Sequence, residues 1–509
     1  MRYGRIVLLA FGLLALGFPG LSQAGKTLVV GIDADALTLD PGNFRHREME
    51  TILRNMFDAL VTRTPDMEIV PELAVSWERV SDTEWIFYLR DGVTWHDGTP
   101  FTAEDVVFTV ERTVKEGRIS GRTSPRKGLL DPVTDAVALD RLTVKLITAV
   151  PYPALIAFLP HHLIVPKHYV EAVGDEFFAE NPIGTGPFKF VRWDKGVQIV
   201  MERYDNYYGG SPAIPPVGPA KLDRVIFRVL PETSTRVAAL KAGEIHIATR
   251  IPPDLIPEIE ADPNLRVMAV RGTRSAFLEM NVTRPPFSDL RVRRAMAHAI
   301  NVDAIIEHVL GGLATPIPSI MSPDSPFYKD LPRYPYDPAR ARALLVEAGY
   351  PQGFSITVDC TAPFKDVALV ISEMLRDVGI EAKVQVWDWG TLLPKLLNRE
   401  REAWVTDWGN ATLDPMDIII PKLKTGERGN YSGYSSPLLD GLLYFAEYIA
   451  RTHESRLAAY HIAQELIAHD LPFVPLWVAQ EIYGVSRRVV GWRPSPDSRI
   501  NLHRADLLG

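Results

Sequence analysis

Four tryptophans, Trp387, Trp389, Trp404 and Trp408, stand in one short stretch, interleaved with Asp388, Asp407 and Asn410. Rigid rings beside short carboxylates and amides are the groups that orient a small organic solute in a cleft. The ring face supplies apolar contact, and the polar groups fix direction. Trp387 also reads as core at the end of a strand. Trp408 opens the turn-forming Gly409-Asn410 just ahead of Asp414-Pro415, which favours a place at a cleft border, with Asn410 and Trp389 beside it. Asp407 and Asn281 are the accompanying polar candidates. Arg45 and His46, after the Leu39-Asp40-Pro41 turn, are the candidates from the early chain, His46 reading first as a solvated loop residue.

No catalytic signature accompanies these residues. H-E-x-x-H, G-x-S-x-G and G-x-x-x-x-G-K-[ST] are all missing. Gly184-Thr185-Gly186-Pro187 is too short for a dinucleotide fingerprint, and Pro187 has no N–H to offer a phosphate, so it reads as a tight structural turn. His161, His162 and His168 have spacing that a metal site can use. With no cysteine near and prolines at 160 and 166, they read as surface or hydrogen-bonded structural histidines. His96-Asp97-Gly98 is a turn without an adjacent nucleophile. Catalytic groups that converge only in space escape such a search, so an exported hydrolase stays as a rival, as does a structural or chaperone-like protein of the cell envelope. No metal and no cofactor is expected.

Arg2 and Arg5 precede an apolar run from Ile6 to Phe18, followed by the small residues of Ser22-Gln23-Ala24. The run is too short to span a bilayer and no stop-transfer pattern follows, so residues 1–24 read as a secretory signal peptide. Their removal takes away two arginines and no acid, moving the formal charge from -8 to -10. An acidic exported chain without a basic stripe is suited neither to nucleic acid nor to an anionic membrane face, and no later segment reads as a membrane span. With Cys360 as the single cysteine, no internal disulfide is possible, and stability must come from burial. At 509 residues the chain exceeds what one core can serve.

The elements that must position these groups are those of an α/β protein. Thr27–Ile32 reads as a buried strand, and Trp85, Phe87 and Leu89 share one face of another that ends at Asp91-Gly92. Thr102 caps a helix carrying Val106, Val107, Val110 and Val114 on one stripe. A Pro/Gly-rich loop at 213–219 precedes a strand at 225–229, and a helix then runs from 233 or 234 to 240. Asp289 and Asp337-Pro338 start two further helices. Between 356 and 387 a strand, an amphipathic helix and a second strand form a crossover with short loops, which favours parallel strands in one sheet. Helices at 437–450 and 455–469 lead to a strand at 473–477, and the tail from 487 has no such periodicity. The pattern predicts a multi-lobed chain with at least two cores and a closable cleft between lobes.

The stretch ELAVSWERVSDTEWIFYLRDGVTWHDGTPFTAEDVVFTVER (72–112) resembles the signature region of the extracellular solute-binding proteins of family 5, the peptide- and nickel-type receptors of ATP-driven importers. NPIGTGPFKF (181–190), MNVTRPPFSDLRVRRAMAHAINVDAII (280–306), YDPARARALLVEAGYP (336–351) and GNYSGYSSPLLDGLL (429–443) follow in that family's usual order. The resemblance implies a two-lobed periplasmic binding protein fold of cluster C type, with an extra subdomain at about 60–185 in the first lobe. It places the first lobe at 25–275, the second at 276–477, and a return to the first at 478–509. It further implies a receptor rather than an enzyme, a monomer in the periplasm without stable membrane insertion, and two partners: a small-molecule solute and an inner-membrane permease.

In the dipeptide-binding members, an arginine just before a proline ahead of the crossover helix pairs with the peptide carboxylate, and an aspartate three residues before the Asp-Pro pair holds the amine. The matching positions here are Ala362 and Ala411. A zwitterion buried without partners loses several kcal/mol on desolvation. The resemblance therefore implies a solute gripped differently. It is a peptide held through backbone contacts, or another polar organic compound such as an opine, a sugar or a glutathione-like molecule. Chelated nickel is less favoured, and Asp407 replaces the missing carboxylate only if its loop is placed differently.

Overall fold

The computed structural model describes residues 25–44 and 47–509, without the side chains of Arg47 and Glu48. The expected signal peptide, and Arg45 and His46, lie outside the described residues. Two strands far longer than the sequence suggests dominate the fold. Leu265–Met280 and Phe473–Ser486 run antiparallel through the middle of an eleven-stranded sheet. On one side of the pair come Ile247–Ala248, Thr27–Ile32, Arg224–Val229, Gln198–Arg203 and Phe188–Asp194. On the other come Ala403–Gly409, Phe354–Thr361 and Ile380–Trp387, and the eleventh strand, Ala314–Pro316, pairs with Phe473–Ser486 off this order.

The ladder between the two long strands is intact from Leu265/Ser486 to Arg271/Gln480. It breaks, and resumes from Ser275/Val478 to Glu279/Phe473. At the break, a Cβ on Gly272 would sit 2.9 Å from the Ala479 carbonyl oxygen, so only glycine fits the approach without a shift. Separate cores lie on either side. Leu28, Phe57, Phe188 and Phe227 pack with Tyr483, Val485, Leu502 and Leu507 from the chain end. Beyond the break, Leu278, Met296, Val358 and Ile371 pack with Leu476 and Trp477.

The end of the chain is tied to its beginning by polar contacts as well. Asn55 donates to the Ile500 carbonyl and accepts from the Leu502 N–H, both at 2.9 Å.

A third core belongs to a four-stranded antiparallel sheet, ordered Ala74–Arg79, Glu84–Leu89, Thr143–Thr148, Val133–Asp140, and covered by the helix Ala103–Val114. Phe87, Trp95, Phe101, Val106 and Leu146 are buried there. This helix starts as its sequence asks, with the Asp105 carboxylate accepting the Thr102 N–H at 2.9 Å. The buried residues of the third core run from Leu60 to Ile164, with Ile183 and Tyr208 packed against them, while Val165, Val170 and Phe178 pack into the first core. The crossover at 354–387 forms as read, with Phe354–Thr361 and Ile380–Trp387 parallel neighbours on either side, in sequence, of the helix Lys365–Arg376. Among the described residues no helix is long and apolar enough to cross a membrane.

Candidate functional site

Phe354–Thr361, Ile380–Trp387 and Ala403–Gly409 lie side by side and parallel, so their carboxyl ends open on the same edge. Ligands of open α/β sheets bind at such an edge, where loops leave the strands with free side chains and backbone groups. A cavity of about 1040 Å³ sits there. Its lining includes Thr361 and Ala362 from the first strand end, Trp387, Asp388 and Trp389 from the second, and Thr406, Asp407, Trp408 and Ala411 from the third. Arg428 and Tyr431 come from a later loop. Glu50, Arg126 and His161 face them from the opposite lobe, and Arg274 enters from the break between the long strands.

Two of the aromatic rings are held by hydrogen bonds from their indole N–H. Trp387 donates its Nε1–H to Asp359 Oδ1 at 2.7 Å, and Arg401 grips the same buried carboxylate at 2.6 and 2.8 Å. Trp408 donates to the Asp417 carbonyl at 3.0 Å, with Lys422 Nζ 5.2 Å and the Arg428 guanidinium 5.1 Å from its ring centroid. Gly429 is a condition of that packing, since a Cβ there would meet Trp408 at 2.7 Å. Lys422 is itself buried and ion-paired to Glu279. Trp389 is exposed, and its ring meets Tyr431 edge-on at 6.5 Å. Burial pushes the Tyr431 hydroxyl up to about 12, so it remains a donor at neutral pH.

The facing wall is a buried charge cluster. Glu50 binds Arg126 at 3.3 Å and Arg499 at 3.0 Å, and it lies 3.3 Å from His161 Nδ1. Burial alone would raise the Glu50 carboxyl, but Arg499, His161 and Arg126 together hold it well below its ordinary 4.5. Burial, reinforced by Arg499, lowers His161 to about 3, so its ring is neutral in the working range. Three of these four groups come from distant points of the first half of the chain and the fourth, Arg499, from near its end, which no local pattern announces.

The candidate residues separate clearly. Trp389, Trp408 and Asp407 line the cavity. Asp407 is spoken for by a bidentate pair with Arg274 at 2.7 and 2.6 Å. Trp404 is core. Two candidates need correction. Asn410 is fully buried behind the cavity: its N–H reaches the Thr273 carbonyl at 2.8 Å and its Oδ1 accepts from Thr412. Asn281 is buried at the far end of its strand, donating to the carbonyls of Arg399 and Arg401 at 3.0 and 3.3 Å. At about 3.3 Å per residue, it lies roughly 20 Å beyond the strand position of Arg274. His161 lines the cavity, while His168 pairs with Asp97 at 2.8 Å. Among the described residues no group of three His, Cys, Asp or Glu side chains is placed to hold a metal ion.

Residues 68–430 match the family model of the bacterial extracellular solute-binding proteins, family 5 Middle. The chain belongs to that family. Among curated relatives it is similar to the glutathione-binding protein GsiB of Escherichia coli strain K12, at 28% identity over 521 residues, covering 97% of this chain and 98% of the relative. Among solved structures it is similar to the periplasmic binding protein DppA of Helicobacter pylori in complex with the peptide STSA, at 29% identity and a TM-score of 0.80, covering 95% of this chain and 98% of that one. It is also similar to the binding protein AgaA of A. tumefaciens R10 in complex with agropinic acid, at 26% identity and a TM-score of 0.78, covering 95% and 99%.

In this family 5 receptor Ala362 and Ala411, the positions at which the resemblance puts the charged anchors of the dipeptide-binding members, both line the cavity. Sequence reasoning missed Arg126, Glu50, Arg274, Arg428 and Tyr431. Only Tyr431 carried a signal, through its place in the motif that opens at Gly429.

Proposed function

We propose that the receptor closes in the periplasm around one small, polar, peptide-like solute and hands it unchanged to an ATP-driven importer in the inner membrane. On this reading residues 25–275 and 478–509 move as one lobe and residues 276–477 as the other. The break in the paired strands at Gly272 serves as the hinge. The observation that carries the reading is the cavity of about 1040 Å³ bordered by Trp389, Trp408 and Tyr431 on one side and by Glu50, Arg126 and His161 on the other. That volume stands at the upper end of the roughly 300–1,000 Å³ that small-molecule sites span.

On this reading the solute is not gripped as a free dipeptide between an arginine and an aspartate: the resemblance matches those anchors to Ala362 and Ala411, and both line the cavity. Glutathione-like peptides and opines fit the similarity to GsiB and AgaA and head the compounds to be tried.

Mass spectrometry of solute released from freshly purified, never unfolded protein, followed by calorimetry with the identified compound, tests this function. One unaltered solute per chain is expected, and Trp408→Ala should weaken its binding by about 2 kcal/mol as a buried aromatic anchor. Conversion of the solute by the protein, or tight binding of simple dipeptides that is lost when their termini are blocked, would overturn it.

A further inference from the structure

The charged groups of the cavity are unequally committed. Arg274 is held by Asp407 in a bidentate pair, and Arg126 by Glu50 and by the His161 carbonyl. Behind the wall, Lys422 is held by Glu279 and Arg401 by Asp359. Arg428 differs from all of these. Its side chain is exposed and lines the cavity, no carboxylate among the described residues pairs with it, and its guanidinium lies over the face of Trp408, 5.1 Å from the ring centroid.

The loop that presents Arg428 is nevertheless fixed. Gly429 N–H bonds the Pro421 carbonyl at 2.9 Å, and the Asn430 side-chain amide donates to the carbonyls of Lys424 and Tyr434 at 3.0 and 2.7 Å. A guanidinium lying over an aromatic ring keeps its N–H edge directed outward. That edge is the fork that matches a carboxylate with two parallel hydrogen bonds.

We propose that Arg428, lying over Trp408, is the carboxylate anchor of the solute site, and that the solute presents a carboxylate to it. The charge absent at Ala362 is thus supplied from a different loop of the same lobe. The inference rests on the receptor reading above and adds to it the ligand's chemistry and a specificity-determining residue. Tyr431, whose hydroxyl stays protonated, lies three residues further along the same wall and supplies a second donor.

Two experiments test the proposal. Solute released from the purified protein is treated with acidic methanol and weighed, one added methyl group marking each carboxyl. Glutathione, trialanine and agropinic acid are then titrated calorimetrically, each as free acid and as methyl ester, into the wild type, Arg428→Gln and Arg428→Lys. The released solute is expected to take up at least one methyl. Any acid that binds the wild type should lose at least tenfold in affinity as its ester and at least tenfold in Arg428→Gln. Arg428→Lys should recover part of that loss, and esterification should cost nothing further in Arg428→Gln. Thermal melting of Arg428→Gln should match the wild type, because the side chain supports nothing but Trp408.

A retained solute without a carboxyl, or equal binding of acid and ester by the wild type, overturns the anchor and leaves the receptor reading standing. A wild type that retains no solute and binds no member of the panel overturns the receptor reading, and the anchor with it.

Discussion

His161 shows how far a residue's role depends on groups remote in sequence. The spacing of His161, His162 and His168 offered a metal site as one reading, and nothing nearby in sequence pointed to Glu50 or Arg499. In the folded protein burial and Arg499 lower His161 from its ordinary 6.5 to about 3. The unfolded chain therefore takes up this proton first, and acidification through the range from 6.5 to 3 removes stability. Glu50 acts in the same direction. Its pairing is worth most above its ordinary 4.5 and is lost as pH falls through its depressed folded value. The melting temperature is expected to fall as the pH is lowered from 7 to 5. His161→Gln, which removes the titrating ring, should flatten that part of the curve. Differential scanning calorimetry across that range checks this, and an unchanged slope in the variant would remove His161 from the account.

At the scale of elements, what was local in the chain was legible and what depended on distant pairing was not. The crossover at 354–387 and the caps at Thr102, Asp289 and Asp337 follow from periodicity and short-range hydrogen bonds, and they form where the sequence asks. The two long central strands did not announce themselves. Leu265–Met280 is interrupted by Arg271, Gly272 and Arg274, and Phe473–Ser486 by Gln480, Glu481 and Gly484. Such residues read as strand ends until the partner strand is known. The expected strand at 473–477 is therefore only the opening third of the real one.

The loop carrying Ala411 and Thr412 is held in a comparable long-range way. Arg456, on the helix His453–Asp470, binds Asp414 at 2.7 and 2.8 Å and Glu447 at 2.8 Å, all three buried. Arg456→Ala leaves two carboxylates buried beside each other and should cost about 3–5 kcal/mol of stability. Urea denaturation measures this, and a loss below about 1 kcal/mol would mean that water reaches the pair and that the loop is held by other contacts.

At the scale of the whole molecule, two long paired strands run between the separate cores, and under the proposed division into lobes these two crossings would restrict motion to opening and closing, where one would allow free reorientation. The halves also touch across the cleft. Arg63 donates to the Thr412 carbonyl at 3.0 Å, Arg451 pairs with Asp82 at 2.9 Å, and Met416 packs against the core of the four-stranded sheet. The Arg451 pair is exposed and worth little, whereas Arg63 is largely buried and its bond is charge-assisted. Arg63→Ala should speed solute release about tenfold, equivalent to roughly 1.4 kcal/mol of lost closure energy. Stopped-flow tryptophan fluorescence reads this directly, since Trp389 and Trp408 border the cavity. An unchanged release rate would mean that this bond is not part of the barrier to opening.

Closure of the lobes on the solute is read by small-angle X-ray scattering across a titration with the solute recovered from the protein. The radius of gyration should fall to a plateau at one solute per chain, as two lobes hinged at Gly272 shut on the cavity between them. A radius of gyration that stays constant through saturation would contradict it.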